Sequence, residues 1–135
     1  MRKALVVDDD ETNRRLISAI LQRERFLVTW ASDGAEAITS LSRNDFSVIV
    51  LDLLMPEVNG QEVIRYLRGA KPELLGRVIV LSALSEIDVP RDLVFTVLRK
   101  PFEFEKFLSV ICACADQDGM PGDIALRASP GDLQL

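Results

Sequence analysis

Five short apolar runs punctuate the chain, and amphipathic stretches fill most of the gaps between them. The runs are KALVV (3–7), FLVTWA (26–31), SVIVLDLL (47–54), RVIVLSA (77–83) and LVFTVL (93–98). Runs of this length read as strands. The segment ETNRRLISAILQRER (11–25) repeats its apolar residues at helical spacing and places Leu16, Ile17, Ile20 and Leu21 on one face. AEAITSLS (35–42) does the same with Ala35, Ile38 and Leu41, and QEVIRYLR (61–68) with Val63, Ile64 and Leu67. FEFEKFLSVICACA (102–115) closes the series as a helix. Asp10 stands where an N-cap belongs, and Asp33-Gly34 is a turn signal ahead of the second helix.

Strand and helix alternate with short connections, which calls for a parallel sheet covered by helices on both faces. The runs show no polar alternation, as expected of strands buried on both sides. In such folds ligands bind beyond the carboxyl ends of the strands. Asp8, Asp9 and Asp10 follow the first strand, Asp52 and Ser82 stand near the ends of the third and fourth, and Lys100 follows the fifth. All of these side chains are therefore expected at one rim.

Composition narrows the field. The 135 residues fit one domain, with a core large enough to dispense with disulfides or structural zinc. The formal net charge of −5 disfavours non-specific binding to nucleic acid or an anionic membrane, so neither is expected as a partner. No stretch is apolar for the roughly 18 residues of a membrane span. The apolar run near the N-terminus is too short for a signal peptide, and a cytoplasmic location is expected. Histidine is absent, which removes histidine triads, histidine zinc sites and phosphohistidine chemistry from this chain. Cys112 and Cys114, two apart on a helix, read as packing residues. Arg14-Arg15 reads as a solvated helix face and Trp30 as packing at a strand end. Residues 116–135 are rich in glycine, proline and acidic residues, and read as a tail or linker remnant after a domain at 1–115.

The run of three aspartates needs a chemical reason. Two carboxylates about 4 Å apart at an effective dielectric near 20 repel by roughly 4 kcal/mol. Magnesium, a hard cation that prefers oxygen ligands, would relieve that repulsion. A carboxylate can also attack a phosphoryl group. A lysine and a metal would then neutralise the transferring charge, and the Ser82 hydroxyl could hydrogen-bond a phosphoryl oxygen.

The motifs VVDDD, LDLLMPEVNG, LSA and LRKP, in that order and each after a strand, resemble the receiver domains of bacterial two-component response regulators over residues 3 to about 115. The resemblance implies a flavodoxin-like sheet of five parallel strands in the order 2-1-3-4-5. It implies a phosphoryl group taken on Asp52 from a sensor histidine kinase or a histidine phosphotransfer protein, and signalling by contact with an unknown downstream protein. It makes the chain a phosphoacceptor and not an enzyme, beyond its own phosphotransfer and slow self-dephosphorylation. Asp9, Asp52 and the backbone carbonyl of Leu54 would bind magnesium, with Asp8 acting mainly through water. Lys100 would pair with the phosphoryl group, and Ser82 would be the switch hydroxyl. Pro101 would hold the lysine loop through a cis bond, and Gly60 would provide the turn before the third helix.

Two other readings compete. LVVDDDET also fits the nucleophile motif of haloacid-dehalogenase-type phosphatases, with Asp8 as nucleophile and Asp10 as acid. Asp116 and Asp118 would then have to supply the second acidic pair, although they follow a helix. An unphosphorylated pseudo-receiver is the third reading, and the intact Asp8, Asp9, Asp52, Ser82 and Lys100 set speaks against it. The chain departs from the family between Ser82 and Lys100. That stretch is short, Pro90 would break a helix there, and Val97 stands where relatives commonly carry an aromatic. The helix between the fourth and fifth strands is expected to be shortened or irregular.

Overall fold

The computed structural model describes residues 2–53, 60–82, 93–100 and 102–118. Its elements are β1 (Lys3–Val7), α1 (Glu11–Arg23), β2 (Leu27–Ala31), α2 (Gly34–Arg43), β3 (Val48–Asp52), α3 (Gly60–Ala70), β4 (Val78–Ser82), β5 (Thr96–Arg99) and α4 (Phe104–Ala115). Short 3-10 turns cover Pro72–Arg77 and Asp116–Asp118. The strands form one parallel sheet in the order β2-β1-β3-β4-β5, the flavodoxin-like arrangement.

Two apolar layers sandwich the sheet. Leu5, Val7, Ile49, Leu51 and Val80 pack with Ala37 and Leu41 of α2 and Val63, Ile64 and Leu67 of α3. The intervening strand residues Ala4, Val6, Val48, Val50, Ile79 and Leu81 pack with Ile17, Ile20 and Leu21 of α1 and Phe107 and Ile111 of α4. Alternate strand residues thus face opposite helix layers, and β1, β3 and β4 have no solvent face to mark with polar residues. Each fully buried Leu, Ile or Phe contributes about 1.5–3 kcal/mol, so this double layer is what fixes the strand ends in space. Among the described residues no helix is long and apolar enough to cross a membrane.

The connection from α1 to β2 is held by backbone geometry. Arg25 adopts φ 68°, Phe26 N–H donates to the Leu21 carbonyl at 3.1 Å, and Arg25 N–H donates to that of Gln22 at 3.0 Å. This is a Schellman closure built on a non-glycine residue.

The structure corrects several expectations. Leu16 is 61% exposed. It lies about 100° round the helix from Ile17, and the buried arc runs instead through Ile17, Ser18, Ile20 and Leu21. Ala35 is exposed, and Gly34, Ala37 and Leu41 form the buried stripe of α2. The edge strand β2 is largely solvent-facing, with Leu27, Thr29 and Trp30 exposed. β5 begins at Thr96 and not at Leu93. Val94 is buried from a turn ahead of the strand, and an apolar run cannot by itself distinguish the two. The stretch between β4 and β5, where the irregular helix and Pro90 are expected, lies outside the described residues.

Candidate functional site

Strand pairing brings the predicted residues to one rim. Asp8 follows β1, and its N–H donates to the Ala31 carbonyl of β2 at 3.1 Å. Asp52 is the last residue of β3 and is registered against Leu81 of β4. Ser82 ends β4, one position further on, and its carbonyl accepts the backbone N–H of Lys100 at 2.8 Å. That bond places Lys100 just past β5, with its Nζ 3.5 Å from Asp52 Oδ2.

Three carboxylates sit around this cation. Asp8, Asp9 and Asp52 each offer an oxygen, all within 4.8 Å of one another. Asp8 is 1% exposed and Asp52 9%, while Asp9 is open to solvent. Asp8 Oδ1 accepts the Asp10 N–H at 2.9 Å. Its Oδ2 is buried with no hydrogen-bond partner among the described residues. Burial pushes the Asp8 carboxyl above the usual aspartate range. The Asp10 N–H opposes that shift, the Asp52 charge adds to it, Lys100 opposes it, and Asp9 adds to it. An all-oxygen trio with one unsatisfied buried oxygen fits a small hard cation.

Gly60 opens α3 directly behind Asp52. Its N–H donates to the Leu53 carbonyl at 2.8 Å. A Cβ at this position would stand 2.5 Å from the Asp52 carbonyl oxygen and 2.7 Å from the Leu53 Cα. The glycine is required by this close approach and not by a left-handed turn, since no described glycine has positive φ. The obstructing atoms are backbone and cannot swing aside. Gly60→Ala is therefore expected to cost about 1–3 kcal/mol, read as a lower Tm, and to displace the Asp52 end of β3.

Asp8, Asp9, Asp52 and Lys100 meet as expected, and Ser82 ends the adjoining strand. Asp10 caps α1, accepting the N–H groups of Thr12 and Asn13 at 2.9 and 3.3 Å. Leu54 and Pro101 lie outside the described residues. Asp116, one of the second acidic pair that a phosphatase would need, is held away from the site. Asp116 bonds Arg2 at 3.0 Å, before the first residue of β1. Arg2 and Asp8 are six strand positions apart, roughly 20 Å at about 3.3 Å per residue. Arg14, expected to be solvated, instead donates from Nη1 to the Asp8 carbonyl at 3.0 Å, and its Cζ lies 4.3 Å over the Trp30 ring. The sequence carried no spacing rule that would have paired these residues.

The sequence matches the family model of the response regulator receiver domain over residues 4–112. It is 29% identical to the response regulator receiver protein CpdR of Brucella abortus (strain 2308), across 82% of this chain and 94% of that protein. It is 32% identical to the uncharacterized transcriptional regulatory protein YkoG of Bacillus subtilis (strain 168), across 97% of this chain but only 59% of that protein. The response regulator TrrA of Thermotoga maritima, solved in complex with Mg2+ and BeF, superposes with a TM-score of 0.75 at 28% identity, covering 84% of this chain and 99% of that one. With the strand order and the acidic rim already in place, the chain belongs to the response regulator receiver domain family of two-component systems.

Proposed function

We propose that Asp52 accepts a phosphoryl group in a magnesium-dependent reaction, and that the phosphorylated domain signals by contact with another protein. The observation that carries this reading is the Lys100 ammonium 3.5 Å from Asp52 Oδ2, with two further carboxylates gathered beside it. Membership of the receiver family makes the donor a phosphohistidine on a sensor histidine kinase or a histidine phosphotransfer protein, with a small acyl phosphate as a slower substitute. A carboxylate oxygen of Asp52 attacks phosphorus, the P–N bond breaks, and the imidazole nitrogen keeps the electron pair and is protonated from solvent. The product is an acyl phosphate on Asp52. Lys100 offsets charge on the phosphoryl oxygens, and the Ser82 hydroxyl hydrogen-bonds one of them.

Asp9, Asp52 and the Leu54 backbone carbonyl would hold magnesium, with Asp8 acting mainly through water. When bound, the cation neutralises charge on the incoming phosphoryl group. Leu54, two residues past Asp52, and Leu84, two past Ser82, are apolar and cannot orient a hydrolytic water, so self-dephosphorylation is slow. The domain acts in the cytoplasm and binds neither nucleic acid nor membrane itself. YkoG, described as a transcriptional regulator, is the longer protein in that comparison.

The test is phosphoryl uptake from acetyl phosphate with and without magnesium. Chelation of divalent cations is expected to slow uptake at least about a hundredfold, the scale set by loss of one group that stabilises transition-state charge. Equal rates in the two conditions would remove the cation from the mechanism.

A further inference from the structure

We infer that Arg14, clamped against Trp30, is a positioning residue that sets the cation affinity of the acidic rim through the backbone of Asp8. This rests on the cation reading above. Asp8 is tied at both of its backbone groups, its N–H to β2 and its C=O to Arg14 of α1. Its N–H donates to the Ala31 carbonyl, and its C=O accepts Arg14 Nη1 at 3.0 Å. The guanidinium doing so lies over the ring of Trp30, the residue before Ala31, with Cζ 4.3 Å from the ring centroid. Trp30 is 57% exposed on an edge strand, so burial does not account for a tryptophan there. Its ring face is what holds the guanidinium flat and aimed. A lysine has neither the planar fork nor the stacking face to keep both contacts.

The proposal has a sign that simple electrostatics does not share. Arg14 is a positive charge near a cation site. If it acted only through its field, removing it would tighten magnesium binding, and Arg14→Lys would change nothing. If it acts by fixing Asp8, both substitutions weaken binding. Loss of a group that orients a metal ligand lowers affinity about 10–100-fold. Arg14 holds a backbone carbonyl and not the ligand atom, so about tenfold is expected.

The experiment is a titration of the isotope-labelled chain with magnesium chloride, followed by amide NMR. In the wild type the amides of residues 8–10 and the indole N–H of Trp30, the chain's one tryptophan, are expected to shift with a single dissociation constant. Arg14→Ala and Arg14→Lys should raise that constant about tenfold while keeping the dispersed spectrum of a folded protein. Trp30→Ala should move it in the same direction, and Trp30→Phe, which keeps a ring face, should lie closer to wild type. Should Arg14→Ala fail to fold, Arg14→Lys and Trp30→Ala carry the same contrast. Arg14→Lys binding as tightly as wild type, Arg14→Ala binding more tightly, or a stationary indole signal while the amides of 8–10 move would overturn the proposal and leave the cation reading intact. A wild type whose amides ignore magnesium would overturn both.

Discussion

Asp52→Ala is expected to take up phosphoryl from acetyl phosphate at less than about a hundredth of the wild-type rate, a barrier increase of about 2.7 kcal/mol or more. The Asp52 carboxylate is paired with an ammonium, at 3.5 Å from Lys100 Nζ. Asp8, the alternative, is sealed at 1% exposure and holds its proton more tightly than an ordinary aspartate. A carboxylate sealed from solvent is a poor nucleophile toward a phosphoryl donor arriving from solution. The variant should fold normally, because Asp52 closes β3 through its backbone pairing with β4 and its side chain adds like charge to Asp8. Uptake rates measured by intact mass, beside a thermal melt, separate loss of chemistry from loss of fold.

Asp8→Asn is expected to change stability and cation binding in opposite directions. Burial first, then the charges of Asp52 and Asp9, raise the folded-state pKa of Asp8 against the opposing pull of the Asp10 N–H and Lys100. As pH rises from about 3.9, the unfolded chain releases this proton while the folded chain still holds it. Unfolding then releases protons, and stability falls with pH until the folded pKa is passed. Relative to a neutral side chain there is no cost below the unfolded pKa, and the full cost is present above the folded one. Without divalent cation at pH 7, Asp8→Asn should therefore melt higher than wild type, and the gap should close on acidification to about pH 3. Magnesium at ten times its dissociation constant should add about 1.4 kcal/mol to the wild type and much less to the variant. A variant that melts lower than wild type at pH 7 without cation would show that Asp8 is a structural acid and not a frustrated one.

The parts of the fold that were legible in the sequence are those with two buried faces. β1, β3 and β4 read as uninterrupted apolar runs because helices cover both sides, and their ends deliver Asp8, Asp52 and Ser82 to the rim. Legibility failed where burial and secondary structure part company. Leu93 and Val94 are apolar because they pack from a turn, so β5 was expected three residues early. Leu16 is apolar and exposed, so it widened the expected stripe of α1. Gly60 reads as a turn residue in the sequence, but the demand on it comes from the Asp52 and Leu53 backbone at the end of β3, packed against the start of α3. Arg14 and Trp30 are sixteen positions apart in the chain. Only the β1–β2 register and the first turns of α1 bring them together over the Asp8 carbonyl.

The most direct measurement locates the phosphoryl group on the chain. After incubation with acetyl phosphate and magnesium, borohydride reduction converts an aspartyl phosphate to homoserine, and peptide mass spectrometry identifies the residue converted. The account predicts homoserine at Asp52, absent when magnesium is withheld and absent in Asp52→Ala. Conversion at Asp8, or none at any residue under conditions that label a known receiver domain, would contradict it.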